Sequence, residues 1–318
     1  MKPLGKFLSA FLTAAVLAAV PAPAAAAGSS AAQFLKLGFG ARSLGMGEAF
    51  VAVADDPSVV YYNPAGLAPY PGGEGRYAAF SHAWHIQDMG ISQAAYVARP
   101  WGASLSYFSA GELEGRDDNQ VRTGNFTASD IALSAGRGWT LGRVRAGATF
   151  EYVGQQIKNY SANAVAVNAG ALYGLEELPV TFGASVSNLG SKVKFRDESF
   201  PLPLIFRAGT AVRLSSARTL LTAQLDLPND DGGSLRLGAE YSLAESLRLR
   251  LGYKTSSSGD RDAILGKELG NAGASGVSGL YGFFFGLGIV YREFNLDYAL
   301  TPYGDLGNAH RFSLSFKF

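Results

Sequence analysis

The run LRLRLGYK, Leu247 to Lys254, alternates without a break. Leu247, Leu249, Leu251 and Tyr253 share one face, and Arg248, Arg250, Gly252 and Lys254 share the other, the period of two that a β-strand imposes. SLRLGAEYSL repeats the rule just upstream, with Leu235, Leu237, Ala239 and Tyr241 opposite Arg236, Gly238 and Glu240. VRAGATFEY does the same further back, with Val144, Ala146, Ala148, Phe150 and Tyr152 opposite Arg145, Gly147, Thr149 and Glu151. From Arg76 onward this pattern predicts about fourteen strands. Their centres fall near Phe80, Ala95, Leu105, Leu133, Phe150, Val167, Ala184, Ala208, Ala223, Leu237, Leu249, Leu287, Asp297 and Leu314.

The connections sort by length. Those after even-numbered strands are short: Arg99-Pro100-Trp101, Ser215-Ser216-Ala217, Ala244-Glu245-Ser246 and Arg292-Glu293. Those after odd-numbered strands include long stretches, Gly111 to Phe126, Leu189 to Pro203 and Thr255 to Gly279. Short turns at one end and long loops at the other are the signature of an outer-membrane barrel. The ending HRFSLSFKF places Phe312, Leu314, Phe316 and Phe318 on one face and stops on an aromatic residue. This resembles the terminal strand by which bacterial outer-membrane barrels are recognised for insertion, which makes Phe312, Phe316 and Phe318 the expected signal for barrel-insertion machinery. On a soluble protein such a strand would be an aggregation-prone edge; pairing with the first strand removes the edge.

Composition agrees. Met1 to about Ala27 has the layout of a secretory signal: Lys2 and Lys6, an apolar stretch from Phe7 to Val20, and Ala25-Ala26-Ala27 as a cleavage site. Without it, 25 basic side chains face 26 acidic ones, a net charge near −1. That balance argues against a nucleic-acid partner. There is no cysteine, which excludes disulfides and thiol chemistry. Forty glycines and 12% aromatics favour β architecture with small residues on one face.

Ahead of the strands stands ADDPSVVYYNPAGLA, Ala54 to Ala68. Asp56 before Pro57 reads as an N-cap with proline at the first helical position. Pro64 ends any helix by Tyr61 or Tyr62, and Gly66 lets the chain turn. The segment is a short helical plug or a loop.

With a barrel expected, GARSLGMGEAFVAVADDPSVVYYNPAGLA, residues 40–68, resembles the N-terminal hatch of FadL-type outer-membrane proteins. The matching positions are Gly45, Gly47, Ala54, Asp55 and the motif Asn63, Pro64, Ala65, Gly66 and Leu67. NLGSKVKF followed by PLPL, within 188–204, and LDYALTPYGDLGNAHRFSLSFKF, 296–318, resemble the PorV/PorQ branch of that superfamily. The resemblance implies an all-β protein: a transmembrane antiparallel barrel of about fourteen strands with a small helical hatch inside. The expected organisation is a signal peptide at 1–27, a hatch at 28–72 and a barrel at 73–318. The expected place is the bacterial outer membrane, in contact with its lipid.

The PorV-like reading makes the chain a secretion component that binds exported cargo and passes it to type IX machinery. The FadL-like reading makes it a passive diffusion channel for hydrophobic small molecules. A structural or adhesive surface barrel is a third, weaker reading. In the first, the loops 189–203 and 255–279 would contact cargo. Neither leading reading is enzymatic, and neither requires a cofactor or a metal.

The residues offer little catalytic chemistry. His82 and His85 lie three apart on a strand and face opposite ways, so they cannot share a metal. Gly38-Phe39-Gly40 has Ser43 where a dinucleotide loop needs its third glycine. Asp55 and Asp56 before a proline read as a cap and turn. GRDDNQ at 115–120 and PNDDGG at 228–233 lack calcium-ligand spacing and read as solvated loop tips. Gly282, Gly286 and Gly288 are expected on a lipid-facing strand. Arg145, Glu151, Arg207, Arg236, Glu240, Arg248 and Arg250, with Arg213 and Lys254, are expected to face the lumen. On the lipid face each arginine or lysine would cost ~2–4 kcal/mol near mid-membrane. Inside, they can pair with one another or with the hatch.

Overall fold

Alternating strands with one apolar and one polar face can bury neither face alone; closing on themselves with the apolar face toward lipid satisfies both. The computed structural model shows that solution. It describes residues 29–84, 89–117, 119–195, 198–255, 280–302 and 308–318. The expected signal segment, His85, Asp118, nearly all of the expected loop 255–279 and the GDLG run at 304–307 lie outside these residues.

Fourteen antiparallel strands form one closed barrel. They are β1 (Arg76–Trp84), β2 (Gly90–Ala98), β3 (Trp101–Arg116), β4 (Arg122–Leu141), β5 (Val144–Ile157), β6 (Tyr160–Gly174), β7 (Val180–Gly190), β10 (Ile205–Leu214), β11 (Thr219–Pro228), β12 (Ser234–Ser242), β13 (Leu247–Lys254), β14 (Phe283–Tyr291), β15 (Phe294–Pro302) and β16 (Asn308–Lys317). Two short strands, β8 (Val193–Phe195) and β9 (Glu198–Phe200), form a separate hairpin. Every one of the fourteen expected centres falls inside a wall strand. The seam closes where β1 pairs with β16, Tyr77 opposite Lys317 through Trp84 opposite His310. The terminal aromatic strand is therefore no edge.

The outward face is apolar. Phe80, Leu133, Phe150, Phe206, Leu287, Ile289 and Phe312 are all exposed, Phe150 to 57%. A soluble surface could not carry such a belt; a bilayer requires it. At the short-turn end the outward Arg137 lies between Trp101 and Trp139, its guanidinium carbon 5.1 and 5.9 Å from the ring centroids. Aromatic residues and long cations of this kind mark a membrane–water boundary. The protein is a β-barrel of the bacterial outer membrane.

Two connections differ from expectation. Gly111 to Phe126 is not a loop: β3 continues to Arg116 and β4 begins at Arg122. Pairing of β2 with β3 stops at Ser109, and that of β4 with β5 stops at Ala128, so the two strands rise past the wall as a free ribbon. The stretch 189–203 begins as strand, since Leu189 and Gly190 end β7, and then folds inward with Val193 fully buried. The long connections 191–204 and 255–282 leave the same end of the barrel, and those at the other end have two to five residues. Outer-membrane barrels turn their long loops to the outside and their tight turns to the periplasm.

The chain before β1 lies inside this wall. It contains a 3-10 turn (Gln33–Lys36), α1 (Ala41–Gly45), α2 (Val59–Tyr62) and a second 3-10 turn (Pro64–Leu67). Helix α2 ends at Tyr62 as read from Pro64, with Asn63 extended at φ −159°. It starts two residues later than Asp56-Pro57 suggested: Asp56 does accept from the Ser58 N–H at 2.9 Å as a cap, but the first turn closes by three-residue bonds, Val59 N–H to Asp56 O at 3.3 Å and Val60 N–H to Pro57 O at 3.4 Å.

Candidate functional site

Residues 30–72 run through the lumen from the loop rim to the turn rim. At the loop end, Phe34 and Leu35 sit in an apolar chamber made by Ala132, Val153, Ala162, Ala164, Ala166, Val193 and Leu202. Four links hold this head in place. Ser30 and Gln33 bond the Asp230 carboxylate, Lys36 pairs with it at 2.6 Å, and Ala31 N–H donates to Pro201 O at 2.9 Å. The Tyr61 hydroxyl donates to Leu35 O at 2.7 Å from below. The lysine and the two hydrogen-bond donors keep the Asp230 carboxyl below the usual range against the opposing effect of burial. A small cavity of about 20 Å³ remains beneath the head, lined in part by Leu37, Tyr61, Glu151, Asn168, Asn188 and Arg207.

In the middle, plug backbone lies directly on wall backbone. A Cβ at Gly252 would stand 2.0 Å from Gly47 N, one at Gly147 2.1 Å from Pro64 O, and one at Gly138 2.1 Å from Ala68 N. These glycines fall in register across strands: Gly138 opposite Gly147, Gly147 opposite Gly170, Gly183 opposite Gly209, Gly238 opposite Gly252. Only residues without side chains allow so close an approach. Side chains then finish the contact. Gln224 Oε1 accepts from the N–H groups of Phe50 and Val51 at 2.8 and 2.7 Å. Asn63 Nδ2 donates to Val51 O at 2.8 Å and to the wall carbonyls of Ala171 and Ala184 at 3.1 and 3.3 Å.

At the turn end an ion network ties plug to wall. Arg42 contacts Asp55 at 2.6 Å, Asp56 at 2.9 Å and Glu240 at 2.9 Å. Arg213 reaches Asp55 at 2.7 Å, and Arg250 joins Glu240 and Asp297, each at 2.7 Å. Nearer the loop end, Arg236 pairs with Asp226 at 2.7 Å and with Glu48. Burial alone would raise the Asp55 carboxyl, but the Arg42 and Arg213 guanidiniums hold it far below the usual carboxylate range. Asp56 goes the other way: burial raises it, and the neighbouring Asp55 charge adds to the rise. Below the network an open chamber of about 450 Å³ carries Arg42, Asp55, Arg213, Glu240, Arg248 and Lys317 on its walls.

The expected lumen-facing residues fall as follows. Glu151, Arg207, Arg236, Glu240 and Arg250 are buried inside the wall. Arg248 lines the lower chamber and bonds Asn295 at 3.3 Å; Arg145 lies over the Tyr70 ring at 4.7 Å. Asn63, Pro64, Ala65, Gly66 and Leu67 are all buried. Phe312 and Phe318 are exposed on the outer face, and Phe316 is half-buried there. His82 faces outward beside Ser92 at 2.9 Å.

Two expectations fail. Gly286 and Gly288 do not face lipid: Gly286 meets Gly45, and Gly288 meets Arg250 and Asp297. PNDDGG is not a solvated tip, because Asp230 is 1% exposed beneath the plug head. Arg42, Glu48, Phe34, Leu35 and Gln224 escaped the sequence reading. Their partners lie far off in the chain, Arg42 and Glu240 being 198 residues apart. The glycines did leave a signal, since they recur on the lumen side of consecutive strands.

No protein-family model matches the chain, and no curated protein matches it in sequence. Solved structures do. The Ralstonia pickettii toluene transporter TbuX aligns with a TM-score of 0.58 at 13% identity, over 88% of this chain and 98% of that one. A deltaS2S3 mutant of the TodX monoaromatic hydrocarbon channel gives 0.57 at 15% identity, over 88% and 98%. A Pseudomonas aeruginosa FadL homologue gives 0.52 at 12% identity, over 88% and 98%. At such identities the likeness is one of fold. It is the fold of FadL-type outer-membrane channels.

Proposed function

We propose that the chain is a passive outer-membrane channel for small hydrophobic molecules, closed by its own N-terminal segment. One observation carries this reading: the chamber under the loops is apolar, and the chain fills it with Phe34 and Leu35 as a ligand would. The matched TbuX and TodX structures are described as a toluene transporter and a monoaromatic hydrocarbon channel, in keeping with such a cargo. Burial of an apolar side chain contributes about 1.5–3 kcal/mol. An incoming hydrocarbon of similar size can replace that contribution, so exchange of head for ligand needs no energy source. The resemblance to the PorV/PorQ branch would instead make the barrel a secretion component. Among the described residues the geometry favours it less, because Val193 and Leu202 of the segment 191–204 pack against the plug head, although β9 stands exposed.

The chain has no cysteine of its own, which gives an unambiguous test. Ser30 and Asp230 touch, so Ser30→Cys with Asp230→Cys yields a lockable plug. Radiolabelled toluene should enter porin-deficient cells faster with the wild-type barrel than without it. Oxidation of the double variant should abolish that excess, and reductant should restore it. No excess entry with the wild type would sink the channel reading; full entry with the lock closed would sink the plug.

A further inference from the structure

Five carboxylates are fully buried among the described residues: Glu151, Asp226, Asp230, Glu240 and Asp297. Four have cationic partners. Asp226 pairs with Arg236, Asp230 with Lys36, Glu240 with Arg42 and Arg250, and Asp297 with Arg250. Among the described residues Glu151 alone has none; there it is bonded by the Asn168 amide at 3.0 Å and by the Ser134 hydroxyl. A buried carboxylate without a counter-ion is costly, and a fold that keeps one needs a reason.

The place supplies the reason. Glu151 lines the small cavity directly beneath Phe34 and Leu35, and Arg207 lines the same cavity. Arg207 donates to Ser187 Oγ at 2.8 Å and stands 4.0 Å from Asp226, so its charge is only loosely matched. A molecule that takes the place of the plug head therefore meets apolar walls around its body. At its lower end it meets an acceptor-only carboxylate, Glu151, and a donor-only guanidinium, Arg207. A hydroxyl both donates and accepts, and it brings no net charge into the lumen. A ligand carboxylate would face Glu151, and a ligand ammonium would face Arg207.

We propose that Glu151 makes the chamber selective for hydroxyl-bearing hydrophobic molecules, small phenols and alkanols, over the parent hydrocarbons. This rests on the channel reading above. The hydroxyl donates to the Glu151 carboxylate and accepts from Arg207, while the apolar body packs against Ala132 and Val153. A hydrogen bond to a charged group discriminates against an analogue lacking it by about tenfold or more.

Toluene, p-cresol and p-toluate share one body and differ in one substituent, so they isolate the polar end. Entry of each is measured in porin-deficient cells expressing the wild type, Glu151→Gln or Glu151→Leu, with entry into barrel-free cells subtracted. Heat-modifiable migration of each variant on a gel confirms a folded barrel. The wild type should favour p-cresol over toluene by about tenfold or more. Glu151→Gln, which keeps an acceptor, should retain part of that ratio, and Glu151→Leu should bring it near one. A merely structural role for Glu151 would move both probes together and leave the ratio unchanged, which overturns the proposal. A preference for p-toluate would assign the polar end to Arg207 and also overturn it. Barrel-dependent toluene entry with a wild-type ratio near one would sink this inference and leave the channel standing. If no probe entered faster than in barrel-free cells, both would fall.

Discussion

Arg42 holds three carboxylates at once, and the two adjacent ones answer acid differently. Asp55 has its pKa depressed by Arg42 and Arg213, so its contribution is present above the ordinary carboxylate value and is lost only far below it. Asp56 has its pKa raised, so on acidification it takes up a proton first and relieves a cost rather than breaking the latch. The plug should therefore stay seated as pH falls from neutral to the upper edge of the carboxylate range. Ala65 is fully buried, and a cysteine there reports unseating through its rate of thiol labelling from the periplasmic side. In that background Asp55→Asn should raise the labelling rate about tenfold or more at neutral pH, as expected for loss of charge-assisted bonds worth about 1.5–3 kcal/mol. Asp56→Asn should change it little. Equal effects of the two variants would show that Arg42 does not distinguish its neighbours.

The strands were legible because lipid on one side and lumen on the other write a period of two into each of them, as at Leu247 to Lys254. The meaning of the lumen-side glycines was not, because it depends on a backbone some two hundred residues earlier in the chain. Gly252→Ala puts a carbon 2.0 Å from Gly47 N, while Leu251 and Tyr253 still face outward. The barrel should insert normally, yet the plug should sit badly, seen as raised ion conductance in planar bilayers. Gly174→Ala, with nothing within 4 Å of its added carbon, should conduct like the wild type. The ribbon of β3 and β4 was read as a loop for a related reason. Past the wall neither of its faces meets lipid, so residues 111–126 lose the alternation that marks a strand. Arg116 and Arg122 stand exposed near its tip, and trypsin added to intact cells should cut there. Resistance on intact cells with cleavage from the periplasmic side would reverse the orientation.

For the whole molecule, wall and plug form one continuous chain with opposite demands. The wall is closed by β1 against β16, and the plug's two ends lie at opposite rims: Ser30 beside Asp230 among the loops, Tyr70 and Gly73 beside Arg99 among the turns. The chain thus passes through a ring that its own last strand completes. A rope already inside a ring when the ring is welded stays threaded, and whatever is tied to its leading end must have gone through first. A short epitope placed just ahead of Ser29 should accordingly be displayed on the cell surface and bind antibody on intact cells. A rigidly folded reporter at the same position, too wide for the lumen, should either be stranded in the periplasm with the ring unclosed or keep the barrel out of the membrane.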